Sequence, residues 1–134
     1  MEIEEIEELV RAAVKAKEKA YCPYSKFRVG AAVKASSGRI YTGCNVENAS
    51  YGLTVCAERV AIFKAVSEGE REVLAVAVAT DLDEFVFPCG ACRQVILEFG
   101  ANAKVISAKP SGEYVVKNIK ELLPNSFTRE KLGV

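Results

Sequence analysis

Two short segments limit how this chain can fold: Cys56-Ala57-Glu58 in TVCAERVA, and Pro88-Cys89-Gly90-Ala91-Cys92 in FPCGACRQ. Zinc favours thiolate and imidazole ligands in a tetrahedron. The chain has five cysteines and no histidine, so any such site must draw on sulfur. Cys56, Cys89 and Cys92 supply three ligands and leave the fourth position open, as a catalytic site requires and a closed structural site does not. An odd cysteine count without secretory context also argues for reduced thiolates over a disulfide framework. The fold must therefore bring two distant segments to one point.

Local pattern shows how it could. Cys56 stands at the predicted start of a helix over 56–66, with Val60, Phe63 and Val66 on one side. Cys89 and Cys92 lie in the opening turn of a second helix, over 89–99, ended by Gly100. Helix N-termini carry partial positive charge and unpaired N–H groups, which favour thiolate over thiol. Glu58, two residues from Cys56, is a candidate proton shuttle for a metal-activated water. A site beside anionic zinc-thiolate and away from bulk water would raise its pKa toward operating pH. Three thiolates weaken zinc as a Lewis acid, and Arg59 or Arg93 could offset this by donating to the sulfurs.

The remaining elements alternate in type. A helix is predicted over 3–19, with Ile3, Ile6, Val10, Ala13 and Val14 on one face and Lys17 snorkelling at its end. Strands follow over 27–35 and 39–46 around Ser36-Ser37-Gly38. A buried strand spans 73–80, two short strands lie near 104–107 and 113–116, and a short helix covers 118–123. The order predicts an α/β fold, a three-layer α-β-α sandwich on a mixed sheet of about five strands, as a single domain over 1–134. Cys22 and Cys44 are expected as small buried residues.

Lys+Arg and Asp+Glu are both 18, so nothing marks a nucleic-acid surface; a small neutral ligand suits the balance better. No apolar run could span a bilayer, and the acidic, amphipathic start MEIEEIEELV is unlike a signal peptide, so the expectation is a cytoplasmic protein without nucleic-acid or membrane partners.

With these residues in view, the chain resembles the zinc-dependent cytidine deaminases, whose signature pairs H-x-E with P-C-x-x-C. Cys56 in place of the histidine resembles the small, homotetrameric, three-cysteine branch of that family. Three other segments carry the resemblance: Tyr24–Ala32, Asn45-Val46-Glu47-Asn48-Ala49 and Leu122–Phe127. It implies zinc as cofactor, a nucleoside substrate, and pyrimidine salvage by hydrolysis of cytidine and deoxycytidine to uridine and deoxyuridine with release of ammonia. It implies that Phe27 packs on the base, Asn45 and Glu47 hold the sugar, and the Ala57 backbone reads the base edge. It also implies that Phe127 reaches a neighbouring subunit's base and that Arg59 partners the thiolates. Tyr51 is a further candidate across an interface, and Gln94, on the second metal helix, either supports the ligands or lies on the helix surface. Other readings remain open at this point: a deaminase of another cytosine nucleoside such as blasticidin S, a polynucleotide deaminase, and a non-catalytic zinc-stabilised binding module.

Overall fold

Alanine and valine dominate the middle of the sheet, where side chains are covered on both faces. The computed structural model describes residues 1–134. Its elements are α1 (Ile3–Ala16), β1 (Val29–Ala35), β2 (Ile40–Cys44), α2 (Ala57–Ser67), β3 (Val73–Thr80), α3 (Gly90–Phe99), β4 (Lys104–Ala108), β5 (Tyr114–Asn118) and α4 (Ile119–Leu122). The five strands lie in the order β2-β1-β3-β4-β5. Only β3 and β4 pair in parallel, with Ala75 opposite Lys104 and Ala79 opposite Ala108; α3 makes the crossover between them. This is the expected mixed five-stranded α/β sandwich.

Alternation along each strand divides the core in two. Leu9, Val10 and Ala13 of α1 pack on Ala32, Ala75, Ala77, Ala79 and Ile106. On the other face Ala61, Ile62 and Ala65 of α2, with Ile96 and Leu97 of α3, pack on Ala31, Val33, Val76 and Val105. Full burial of a residue such as Ile62 contributes about 2 kcal/mol.

Two glycines set the layer spacing. A Cβ on Gly43 would lie 2.6 Å from the Ala61 nitrogen and 2.7 Å from the Ala57 oxygen, so α2 rests directly on β2. A Cβ on Gly30 would lie 2.1 Å from the Ala13 oxygen, and α1 rests on β1 in the same way.

This close approach corrects the expected face of α2. The buried residues are Ala57, Glu58, Ala61, Ile62 and Ala65, whereas Phe63 is 48% exposed. Small residues fit against β2, and the bulky ring turns outward. Lys17 also differs from expectation. It follows α1 in a 3-10 turn, and its ammonium is buried in an ion pair with Asp81 at 3.0 Å, not carried into water. Cys22 and Cys44 are half-buried, not core, and the Cys44 thiol donates to the Lys19 carbonyl. The first helix ends at Ala16, three residues early, and the tail beyond Pro124 makes a further 3-10 turn over Arg129–Leu132.

Candidate active site

Cys56 and Cys89 are the N-cap residues of α2 and α3. Both have extended backbone, and neither side chain caps its own helix, so each sulfur is free to face the other. Cys92, one turn into α3, is fully buried. The three sulfurs lie within 4.8 Å of one another, and Cys56 and Cys89 are 3.9 Å apart. Zinc–sulfur bonds in a tetrahedron place sulfurs roughly 3.8 Å apart, so the donor set fits zinc.

Charge at this corner is arranged for thiolate. The Cys56 sulfur is held down to about 5, first by a hydrogen bond from Cys92 and, against desolvation, by one from Arg59. The same sulfur contact and burial push the Cys92 thiol up. Arg59 donates from Nη2 to the Cys56 sulfur at 3.5 Å, and its buried Nε has no partner within the chain. An unsatisfied guanidinium donor beside three sulfurs is suited to the extra negative charge of a thiolate cluster. Arg93 points away from the sulfurs. Its Nε donates to the Pro88 carbonyl at 2.7 Å and its Nη1 to the Leu122 carbonyl at 2.8 Å, joining the metal loop to α4.

Glu58 is 4% exposed. Burial pushes its carboxyl up to about 7, and the neighbouring Cys56 charge adds to the shift. A carboxyl with that value can both take and return a proton near neutral pH.

A cleft of about 260 Å³ opens from this corner. Cys56, Ala57, Glu58 and Cys89 line its inner end, and Phe27, Asn45 and Glu47 line it further along. Val29, Val78, Thr80, Val86, Phe87, Ser25 and Thr54 complete the wall. Those seven are not among the site residues expected from the sequence. Phe87 was the most legible of them, an aromatic two residues ahead of Cys89.

Asn45 is buried and occupied by the backbone. Its Oδ1 accepts from Val29 N at 2.9 Å, and its Nδ2 donates to the Phe27 carbonyl at 2.8 Å. It thereby holds the strand start that carries Phe27. Glu47 accepts from the backbone nitrogens of Tyr24 and Ser25 and from the Ser25 hydroxyl. The Ser25 hydroxyl is the main cause of a carboxyl pKa below the ordinary range, so Glu47 is an ionised acceptor at the cleft wall.

Three expected site residues, Tyr51, Phe127 and Gln94, lie apart from the cleft. Tyr51 is 73% exposed and lines an adjoining hollow with Tyr24, whose ring centroid is 5.8 Å from its own. Phe127 is 56% exposed on the tail, and its carbonyl accepts from Gln94 Nε2 at 2.9 Å. Gln94 thus anchors the tail and does not contact the sulfurs.

Comparison with known proteins agrees with this geometry. Residues 3–108 match the family model described as the cytidine and deoxycytidylate deaminase zinc-binding region. This chain belongs to the cytidine deaminase family. It is 50% identical to a probable cytidine deaminase of Dictyostelium discoideum, over 98% of this chain and 90% of that one. It is also 50% identical to a cytidine deaminase of Halalkalibacterium halodurans, over 93% and 96% of the two chains. The crystal structure of cytidine deaminase from Burkholderia pseudomallei superposes with a TM-score of 0.87 at 45% identity, covering 95% of this chain and all of that one. The deaminase assignment makes the chain an enzyme with a zinc-binding region, and the three-sulfur cluster is a donor set that could hold the ion.

Proposed function

We propose that this chain, acting as a single domain over 1–134, hydrolyses the 4-amino group of cytidine and deoxycytidine, giving uridine or deoxyuridine and ammonia. The observation that carries the reading is the buried Glu58 carboxyl at the cleft end where Cys56 and Cys89 converge. Zinc held by Cys56, Cys89 and Cys92 would acidify a water for attack on ring carbon C4.

The chain's own residues supply the rest. Glu58 accepts one water proton and delivers it to ring nitrogen N3, then takes the second from the new C4 hydroxyl and transfers it to the departing amine. Water oxygen becomes the new carbonyl, and the C4–N bond breaks to release ammonia. Cys89 and Ala57 line the cleft; the Cys89 backbone N–H would donate to the oxygen, and the Ala57 backbone would read the base edge. Apolar walls at Phe27, Val78 and Phe87 suit a flat pyrimidine and exclude water. Glu47, ionised at the cleft wall, keeps about one lone-pair site, on Oε2, to accept from a sugar hydroxyl. Asn45 supports that region by holding Phe27.

The exposed Phe127 and Tyr51 support assembly as a homotetramer in which these rings complete a neighbour's cleft. Net charge of zero and the small cleft support a free nucleoside as substrate, with no polynucleotide or membrane partner. The reading places the enzyme in the cytoplasm, in pyrimidine salvage.

The test is conversion of cytidine to uridine by zinc-loaded protein, with Glu58→Gln in parallel. Turnover by the wild type alone supports the reaction and the shuttle together. Absence of turnover in zinc-loaded, folded wild type overturns the reading.

A further inference from the structure

The helix α1 contributes nothing to the cleft lining, yet Lys17, just beyond it, bonds to Thr80, which does line it. Lys17 lies against Gly30, where no Cβ keeps the two segments apart. Its side chain is 8% exposed. Nζ donates to the Thr80 carbonyl at 3.1 Å and pairs with Asp81 Oδ1 at 3.0 Å. Arg28 grips the same carboxylate with two prongs, Nε to Oδ2 at 2.8 Å and Nη2 to Oδ1 at 3.0 Å.

These partners are the roots of the cleft walls. Thr80 ends β3 and lines the cleft itself. Asp81 opens the loop that leads to Val86, Phe87 and the ligand Cys89. Arg28 stands between Phe27 and Val29, both of which line the cleft. One buried ammonium and one carboxylate therefore join the strand start carrying Phe27 to the strand end leading to Phe87.

Burying an ammonium costs several kcal/mol before its partners compensate, and an unbranched apolar side chain would fill the channel without that cost. Packing alone does not account for a lysine here. We propose that Lys17 is a positioning residue for the base pocket: through Thr80 and Asp81, with Arg28, it sets the separation of the walls bearing Phe27 and Phe87. The proposal rests on the cleft being the nucleoside site. Loss of the clamp should weaken substrate and transition state alike, because the reacting corner is held separately by α2 and α3.

The experiment uses zinc-loaded, full-length Lys17→Met and Arg28→Gln, with Lys34→Met as control. Lys34 makes an ion pair to Glu5 of α1 at 2.8 Å along the same strand, away from the cleft. Lys17→Met is expected to raise KM for cytidine about 10-fold and Arg28→Gln about 3-fold, with kcat within about 2-fold and zinc content unchanged. Lys34→Met is expected to lower Tm without moving KM. Arg28 is solvent-facing, so its variant folds even where Lys17→Met does not. Wild-type KM in the folded clamp variants overturns the proposal. Hydrogen exchange decides it independently of turnover: faster exchange at residues 27–29 and 80–87 than in the control supports the clamp, and control-like exchange overturns it. A wild type without turnover would count against the functional reading alone.

Discussion

The two ends of the cleft are built differently. At the inner end, Cys92 and Glu58 are buried, and Cys56, Cys89 and Glu58 come from two helix starts pressed onto the sheet. At the outer end, Phe27 and Glu47 are only half-buried; Tyr24 and Tyr51 stand in solvent in the adjoining hollow, and Phe127, apart from the cleft, lies on a tail held by Gln94. Metal ligation and proton transfer need fixed sub-ångström geometry, which a packed helix N-terminus supplies. Holding a sugar and one face of a base tolerates a surface that a second chain can cover. The contrast predicts that damage to the inner end removes catalysis, whereas damage to the outer end weakens binding.

The strongest way to break that contrast is Glu58→Gln. It should lower kcat by at least about 1,000-fold while zinc content stays at the wild-type level. A variant that keeps turnover would mean that the buried carboxyl is not the shuttle. Next is Cys92→Ala, which should abolish stable zinc retention and activity together. Metal analysis after dialysis checks this, and full occupancy would mean that two sulfurs suffice. Phe127→Ala should raise KM about 10-fold with little change in kcat, the signature of lost uniform binding. A kcat loss matching that of Glu58→Gln would erase the distinction between the two ends.

Gly43→Ala tests how the inner end is held. Its new methyl meets backbone of α2 at 2.6–2.7 Å, where no flexible side chain can give way. Overpacking of this kind should cost about 2 kcal/mol in denaturant unfolding, with zinc affinity falling as Cys56 shifts. The smallest effect concerns acid stability. Arg28 first, then Lys17, hold the Asp81 carboxyl at about 2, below its ordinary 3.8, against partial desolvation. That contribution is present above pH 3.8 and is lost as pH falls toward 2. Asp81→Asn should flatten the acid limb of a stability–pH curve, modestly, since the carboxylate is partly exposed and screened by salt.

Legibility in the sequence followed the range of the interaction. Strand β3 was expected over 73–80 and lies at Val73–Thr80, because an uninterrupted Val/Ala run has few other uses. The starts of α2 and α3 were legible within one residue, as Cys56 and Cys89 fall at breaks in local pattern. The buried face of α2 was not legible. Periodicity weights large residues, and here backbone contact across Gly43 selected Ala61 and Ala65 and expelled Phe63. Asn45 and Glu47 were expected at the sugar on resemblance. Their immediate partners are Phe27, Val29, Tyr24 and Ser25, sixteen or more residues away in the chain.

Local chemistry is thus what this sequence determines by itself: which segments are helix or strand, which residues can bind zinc, and which carboxylate accompanies them. Those properties depend on residue type and on neighbours within a few positions. Tertiary structure alone decided that Lys17 is buried against Thr80 and Asp81, that Arg93 is taken up by the Pro88 and Leu122 carbonyls, and that Phe87 forms a wall. Each of these outcomes turns on a distance of a few ångströms between residues remote in sequence or on the direction a side chain takes. Such distances arise only when the sheet has paired and the layers have closed.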